Sequence, residues 1–226
     1  MNWGRLNHWW ITLLVRRSIR QNLRRSLAGV WLYGRVPRGA ALLAPNHASW
    51  WDGYLLAELG WACLHPFQIM MTDAQLARFP FLRLIGARGQ REVRSLRRGL
   101  RAGEWAVVFP AGEIRHPAAL LPLHPGAAWL AGREHVALFP VAVRVVLRGS
   151  QWPEAFLRLG EPCAPNELES ALAAVLAQLE EDLKTVPADQ PPPGYLCLLR
   201  GRASRHNRVD WPSRMLAWLG GTRSRG

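Results

Sequence analysis

The sequence predicts an α/β fold in which a central mixed, mostly parallel sheet is flanked by helices. Short apolar runs typical of buried strands alternate along the chain with segments of helical periodicity, the pattern of successive βα units. The chain has 226 residues, 49% of them hydrophobic, so it can bury one sizeable core. Its three cysteines are widely spaced and form no Cys-x-x-Cys pattern, which argues against a disulfide framework or a zinc site.

Each element is predicted from its hydrophobic pattern and from the residues that bound it. The predicted strands cover residues 41–44, 67–71, 106–109, 136–146 and 156–159. The predicted helices cover residues 52–59, 73–79, 92–102, 126–133 and 167–186. The last helix has the clearest apolar stripe, which indicates a core-facing side rather than a site. Residues 190–194 include three consecutive prolines and predict a stiff linker.

Residues 46–52, Asn-His-Ala-Ser-Trp-Trp-Asp, follow the first predicted strand and place a histidine and a carboxylate five residues apart. A neutral imidazole can take a proton from a hydroxyl, and a carboxylate can fix its tautomer. Positions five apart differ by about 140° on a helix, so the two meet only if His47 lies in the loop and Asp52 opens the next helix. We therefore predict His47 as a general base oriented by Asp52, with the amides of that helix start as candidates to stabilise an oxyanion.

Further short blocks follow the His-Asp pair in a characteristic order over residues 40–165. They comprise Gly86 with Arg91, the stretch Phe109, Pro110, Ala111, Gly112, Glu113, Ile114 and Arg115, the β-branched run that begins at Pro140, and Gly160-Glu161-Pro162. With Asn46, His47 and Asp52 as an Asn-His-x4-Asp block, the set resembles the lysophospholipid acyltransferase family, which includes the 1-acylglycerol-3-phosphate acyltransferases. The resemblance implies a glycerolipid acyltransferase-like fold and His47 and Asp52 as the catalytic pair.

The resemblance also implies a set of substrate-binding residues. They are Asn46, Arg91, Phe109, Pro110, Gly112, Glu113 and Arg115. The family's third block usually reads Phe-Pro-Glu-Gly-Thr-Arg, so Ala111 stands where the family has Glu. If the segment is extended, Ala111 and Glu113 share a face and Glu113 can take the place of the missing carboxylate. Arg91 and Arg115 are expected to bind substrate phosphate through their guanidinium groups.

Four arginines recur at helical spacing behind Arg91 and form one stripe on the predicted helix 92–102. They are Arg94, Arg97, Arg98 and Arg101. Such a stripe can dock the phosphates of coenzyme A, the acidic surface of acyl carrier protein or lipid headgroups. It can equally be a solvated helix face, and the sequence leaves both interpretations open.

Basic charge is concentrated at the two ends of the chain. Residues 1–40 contain eight arginines and no acidic residue. Residues 195–226 contain seven arginines and one acidic residue. Near the N-terminus, tryptophans and leucines recur at helical spacing between arginines, the pattern of an amphipathic interfacial helix. The apolar run 9–15 is much shorter than the roughly 20 residues that span a membrane. Residues 211–219 are a second candidate helix, and the alternative for the first is that its apolar stripe packs on the core.

The chain is accordingly predicted to have three parts: a basic, membrane-associating helical segment (1–39), an acyltransferase domain (40–187), and a Pro-rich linker with a basic tail (188–226). The predicted enzyme moves an acyl group from acyl-CoA or acyl carrier protein to a hydroxyl of a lysophospholipid such as 1-acylglycerol-3-phosphate. The Ala111 position leaves open a glycolipid or other non-phosphate lipid alcohol. The basic ends leave open a non-catalytic protein that binds lipid or nucleic acid.

We expect no bound cofactor and no metal, because the donor is a co-substrate and the hydroxyl nucleophile belongs to the acceptor. The expected partners are an anionic membrane surface, the lipid acceptor and the thioester donor, without nucleic acid. The expected location is peripheral, on the cytoplasmic face of the inner membrane.

Overall fold

A computed structural model of the chain describes residues 3–116 and 122–203, with side chains from residue 10 onward. These residues form one eight-stranded sheet with helices on both faces. The elements in chain order are α1 (Trp3–Ser26), β1 (Gly29–Tyr33), β2 (Ala41–Pro45), α2 (Asp52–Ala62), β3 (Phe67–Met71), α3 (Asp73–Arg78), β4 (Ala87–Gly89), α4 (Val93–Arg101), β5 (Trp105–Val107), α5 (Gly126–Glu134), β6 (Ala137–Val146), β7 (Glu154–Leu159), α6 (Leu168–Lys184) and β8 (Leu196–Arg200), with short 3-10 helices at Pro80–Ile85, Gln90–Glu92 and Pro165–Glu167.

The strand order is β4-β3-β5-β2-β6-β7-β1-β8. The pairs β3/β4, β3/β5, β2/β5, β2/β6 and β1/β7 are parallel, whereas β6/β7 and β1/β8 are antiparallel. The predicted α/β class with a mixed, mostly parallel sheet is therefore confirmed. Because β4, β3, β5, β2 and β6 run in one direction, their carboxyl ends lie along a single edge, where α/β sheets place their ligands.

The central strand β2 shows how the sheet separates two helical layers. All of its residues are buried, and they alternate between two clusters. Ala41 and Leu43 pack with α1, α2 and α3, which form the first layer with the 3-10 helix Pro80–Ile85. Leu42 and Ala44 pack with α4 and α5, which form the second layer with α6. A strand buried on both faces is a continuous apolar run, as the sequence showed.

Three strands were not predicted, and two of them change the division of the chain. β1 lies in the segment predicted as a membrane-associating helix, yet it pairs with β7 on one side and β8 on the other. β8 lies in the predicted tail. The sheet therefore extends beyond the predicted boundaries at residues 40 and 188, because parallel pairing joins segments that are remote in sequence. The predicted strand 106–109 also ends earlier, at Val107.

The two halves of the N-terminal helix α1 differ in the exposure of their apolar side chains. Its second half packs on the core through Ile19 and Leu23, followed by Leu27, which are all buried. Its first half exposes Trp10, Ile11 and Leu14. None of the helices in the described ranges is long and apolar enough to span a membrane. The second candidate helix, residues 211–219, lies outside the described residues.

Candidate active site

His47 and Asp52 meet at the carboxyl end of β2. His47 lies in the loop after this strand, and Asp52 is the first residue of α2, as the spacing predicted. His47 Nδ1 is 2.9 Å from Asp52 Oδ2. Asp52 is 1% exposed, whereas 21% of the His47 side chain is exposed. Since Nδ1 faces the buried carboxylate, Nε2 on the other side of the ring is the nitrogen left for a substrate.

The loop between the two residues wraps around the Asp52 carboxylate. Asp52 Oδ2 accepts hydrogen bonds from the amides of Ala48 at 2.8 Å and Ser49 at 2.9 Å, and Ser49 Oγ donates to Oδ1. The Trp51 amide donates to Ser49 Oγ at 3.2 Å. These contacts fix the carboxylate that orients His47. They also engage the amides of Ala48, Ser49 and Trp51, so these three amides are not free to stabilise an oxyanion.

The exposed side of His47 borders a cleft of about 440 Å³. This volume falls in the range of small-molecule sites. The cleft lies at the carboxyl edge of the parallel strands. Its lining residues are His47, Trp50, Tyr54, Met70, Met71, Thr72, Gln75, Phe79, Leu82, Gln90, Phe109, Gly112, Glu113 and Ile114. Sequence reasoning missed Thr72, Gln75 and Gln90, although each follows the end of β3 or β4 and strand ends were the available signal.

The third sequence block forms one wall of this cleft. Phe109 packs against the His47 ring with centroids 4.4 Å apart. The Arg115 amide donates to the His47 carbonyl at 2.8 Å, which ties this block to the first. Gly112 has a positive φ of 71°, and a Cβ there would lie within 3.0 Å of the His124 ring. Only glycine fits this turn without strain.

Two comparisons with known proteins bear on this site. The family model described as Acyltransferase matches residues 19–144, more than half of the chain. The chain belongs to the acyltransferase family. The prediction of an acyltransferase enzyme is thereby confirmed, and the predicted resemblance is confirmed at the level of the acyltransferase family.

A solved structure shares the fold of this acyltransferase. It is the crystal structure of the 1-acyl-sn-glycerophosphate (LPA) acyltransferase PlsC from Thermotoga maritima. The two chains are 19% identical with a TM-score of 0.57, and the match covers 82% of this chain and 85% of the other. No curated protein matches the sequence significantly.

The expected replacement of the family Glu by Glu113 does not follow the predicted geometry. Residues 110–113 form a turn rather than an extended segment, closed by the Gly112 amide on the Phe109 carbonyl at 3.1 Å. Ala111 is buried and Glu113 is exposed, so the two do not share a face. Glu113 nevertheless reaches the cleft from its own side of the turn.

The two arginines expected to bind substrate phosphate lie outside the cleft lining. The Arg91 side chain is 92% exposed and lies 3.5 Å from Asp73 Oδ2, and the neighbouring Gln90 borders the cleft instead. Arg115 Nε is 3.0 Å from Glu113 Oε1, and Arg115 Nη1 donates to the Pro122 carbonyl at 3.0 Å. Arg115 thus links Glu113 to Pro122.

Asn46 and Pro110 are buried beside the site, where both take part in hydrogen bonds within the protein. Asn46 is buried, and its side-chain amide donates to the Val143 carbonyl at 3.1 Å while its oxygen accepts from the Val143 amide at 2.6 Å. This pairing joins the end of β2 to β6. Pro110 is buried, and its carbonyl accepts from the His124 amide at 2.7 Å. The structure therefore brings neither predicted substrate contact to the cleft.

The arginine stripe of α4 is divided by Glu134 at the end of α5. Arg97 forms an ion pair with Glu134, and Arg101 Nε lies 2.6 Å from Glu134 Oε2. Hydrogen bonds from Arg97 first, and then Arg101, lower the pKa of Glu134. Arg94 and Arg98 are exposed and form no ion pair within the described ranges. None of the four borders the cleft, and no cluster of three potential metal-ligating side chains occurs among the described residues.

Proposed function

We propose that this acyltransferase moves a fatty acyl group from a thioester donor to a hydroxyl of a lysophospholipid, with His47 as the general base. The observation that carries the proposal is His47, held by the buried Asp52 carboxylate, at the wall of an open cleft. The expected acceptor is 1-acylglycerol-3-phosphate or a related lysophospholipid. The expected donor is acyl-CoA or acyl carrier protein.

The proposed reaction needs no covalent acyl-enzyme. His47 Nε2 takes the proton of the acceptor hydroxyl while Nδ1 stays hydrogen-bonded to Asp52, which stabilises the imidazolium. The acceptor oxygen attacks the thioester carbonyl and forms a new C–O bond. The C–S bond then breaks, and the leaving thiolate takes the proton from His47. Phe109 limits rotation of the imidazole because its ring packs against it.

We also propose that the enzyme works at the cytoplasmic face of the inner membrane as a peripheral protein. The first half of α1 exposes Trp10, Ile11 and Leu14. Arg17 and Arg24 on the same helix are exposed, and neither forms an ion pair in the described part of the chain. Each such cation near an anionic membrane contributes about 1 kcal/mol of binding free energy.

A second candidate acceptor is a lipid alcohol without a phosphate group, such as a glycolipid. No arginine or lysine lines the cleft among the described residues, and Glu113 is its only acidic side chain. The adjoining residues 117–121 contain no basic residue in their sequence. Phosphate recognition usually relies on guanidinium or ammonium groups, so this lining favours a head group with hydroxyls.

The test is thioester-dependent acylation of a lipid panel in detergent micelles by the parent, by His47→Ala and by His135→Asn. His135 is exposed at the end of α5, and its left-handed backbone conformation accommodates asparagine. We expect the parent and His135→Asn to acylate the same acceptor and His47→Ala to lose the activity. A phosphate-free acceptor acylated faster than lysophosphatidate would establish the second candidate. Equal rates for the parent and His47→Ala would overturn the proposed mechanism.

A further inference from the structure

Helices α4 and α5 carry an excess of basic charge that the proposed reaction does not use. Their sequences contain five arginines and one carboxylate, Glu134. Glu134 forms ion pairs with two of the arginines of α4. Arg94 and Arg98 of α4 and Arg133 of α5 are exposed and form no ion pair in the described part of the chain. These two helices therefore keep a positive charge that their own carboxylate does not neutralise.

An exposed tryptophan accompanies these arginines. Trp129 on α5 is 55% exposed. Arg133 follows Trp129 by four residues, so both side chains lie on the same side of the helix. Tryptophan and arginine are the residue types enriched at the energetic centres of protein–protein interfaces. We call Arg94, Arg98, Trp129 and Arg133 the α4–α5 face.

The members of the α4–α5 face belong to one surface of the second helical layer. The two helices bury their inner sides in the same core cluster, for example through Leu96 of α4 and Leu130 of α5. The ion pair between Arg97 and Glu134 joins the helices to one another. Their outer sides are left to solvent, and the exposed arginines and Trp129 lie there.

Both helices begin at the edge of the sheet that carries the cleft. Each connects parallel strands, so each runs against the strand direction from the carboxyl edge. Gln90, which lines the cleft, lies three residues before the start of α4. From the rise per residue of 3-10 and α-helices, Arg94 and Arg98 lie about 8 Å and about 14 Å from Gln90 along the axis. A partner bound to this face therefore lies beside the entrance to the cleft.

The α4–α5 face fits a protein better than a small anion or a membrane. Small ligands such as nucleotides bind in concave sites, whereas these side chains are exposed on helices and none of them lines the cleft. A membrane bound to the exposed half of α1 contacts the other helical layer, on the opposite side of the sheet. An acidic protein complements both the unpaired arginines and the exposed tryptophan.

We propose that the α4–α5 face docks the acidic surface of acyl carrier protein, which delivers the thioester to the cleft. This inference rests on the proposed acyl transfer and specifies its donor. The phosphopantetheine arm that bears the thioester is a flexible chain long enough to extend from α4 past Gln90 to His47. The carrier protein occupies the second layer, which leaves the first layer available for the membrane attachment proposed above.

The first measurement compares palmitoyl-acyl carrier protein with palmitoyl-CoA as donors in the acylation assay. The double variant Arg94→Glu/Arg98→Glu reverses the charge on α4. It should raise KM for the carrier-protein donor about tenfold, because attraction is replaced by repulsion at two exposed positions, and leave kcat/KM for palmitoyl-CoA unchanged. The matched control is Arg35→Glu/Arg38→Glu, since both arginines are exposed in the loop between β1 and β2 at the far edge of the sheet. This control should keep the parental KM for both donors.

The pattern over the two donors decides the proposal. An equal loss with both donors, or a loss confined to palmitoyl-CoA, would overturn it in favour of a site for coenzyme A phosphates. A parental KM for the carrier-protein donor in Arg94→Glu/Arg98→Glu would also overturn it.

A second measurement tests docking without catalysis. Fluorescence anisotropy follows the binding of a labelled bacterial acyl carrier protein to His47→Ala, with and without Trp129→Ala. Removing the indole should weaken binding about thirtyfold, the scale of an interface hot spot. Leu64→Ala is the control, because Leu64 is 86% exposed in the loop between α2 and β3, and it should bind as the parent does. Equal binding by the Trp129 and Leu64 variants would refute the docking.

The two measurements separate failure of the docking from failure of the proposed function. Acylation with both donors that is insensitive to charge reversal on α4 would refute the docking alone. Carrier-protein binding that depends on Trp129, in an enzyme that acylates no acceptor, would refute the proposed function and leave the docking standing. Added salt should weaken binding to the parent more than to Arg94→Glu/Arg98→Glu, since ions screen exposed charges.

Discussion

The two helical layers of this acyltransferase both carry basic residues, and the layers differ in which of these residues form ion pairs with carboxylates. In the second layer Arg97 and Arg101 pair with Glu134, and Arg144 and Arg158 of the sheet pair with Glu180 and Asp182 of α6, while Arg94 and Arg98 form no ion pair in the described ranges. In the first layer Arg20 pairs with the buried Glu58 and Arg83 pairs with Glu92, whereas Arg17 and Arg24 have no ion-pair partner in the described chain. A basic stripe in a sequence therefore does not show which of its arginines form ion pairs in the folded protein.

The largest expected difference between the layers concerns two equally buried carboxylates. Asp52 is 1% exposed in the first layer, and the Glu134 side chain is 2% exposed in the second. Asp52→Asn should lower kcat about 10³-fold, because His47 loses the charge that stabilises its imidazolium. Glu134→Gln should leave kcat unchanged. Initial rates of thiol release measure both, and equal losses would show that burial rather than contact with His47 explains the effect.

The next difference concerns stability. Arg20→Ala leaves Glu58, which is fully buried, without its 2.8 Å ion-pair partner. We expect the free energy of unfolding to fall by about 2 kcal/mol, less than for a fully buried pair because Arg20 is partly solvated. Arg101→Ala should cost less, since Arg97 still pairs with Glu134. Urea denaturation compares the two variants, and a larger loss for Arg101→Ala would contradict this assignment.

The pH dependence of stability should have opposite signs in the two layers. Burial raises the pKa of Glu58, partly offset by Arg20, so the stability that Glu58 contributes is present at low pH and is lost as the pH rises through the raised value. Arg97 and Arg101 lower the pKa of Glu134, so the stability that Glu134 contributes is present at neutral pH and is lost as the pH falls through the lowered value.

Two variants test these signs. Glu58→Gln should remove the loss of stability that occurs when the pH rises above the ordinary carboxyl range. Glu134→Gln should reduce the loss on acidification. Urea midpoints across the acidic range measure both.

The smallest expected difference concerns membrane affinity. Arg17→Gln and Arg24→Gln should each weaken binding to anionic vesicles about fivefold, the equivalent of roughly 1 kcal/mol per cation. Arg94→Gln and Arg98→Gln serve as matched controls, because both arginines are exposed on α4 in the other layer. Their binding should equal that of the parent. Equal effects on both helices would show that net charge, rather than one face, attracts the membrane.

Sequence patterns predicted those parts of the molecule whose structure depends on local interactions. The strand β3 covers the predicted residues 67–71, and His47 and Asp52 meet as their five-residue spacing required. The edge strand β8 was missed because its partner β1 lies more than 160 residues earlier in the chain. The Glu134 pairing was missed for the same reason, since Arg97 and Glu134 lie on different helices.

The contact between His47 and Asp52 was predicted from the sequence, whereas most of the side chains that line the cleft were missed. Thr72 and Gln90 reach the cleft because β3 and β4 end beside β2 in the folded sheet, which no sequence block shows. Ala111 and Glu113 were expected to share one face of an extended segment. The turn at Gly112 places them on different faces, because the positive φ of Gly112 interrupts the extended conformation. Asn46 was assigned to substrate by resemblance, and only the structure shows its side chain paired with Val143.

The most direct test of the account is the kcat of His47→Ala with the acceptor that the lipid panel identifies, together with KM for both substrates. The account predicts that kcat falls about 10³-fold while both KM values stay within a few-fold of the parent, because His47 acts in the transition state rather than in binding. A parental kcat, or a loss confined to KM, would contradict the assignment of His47 as the general base.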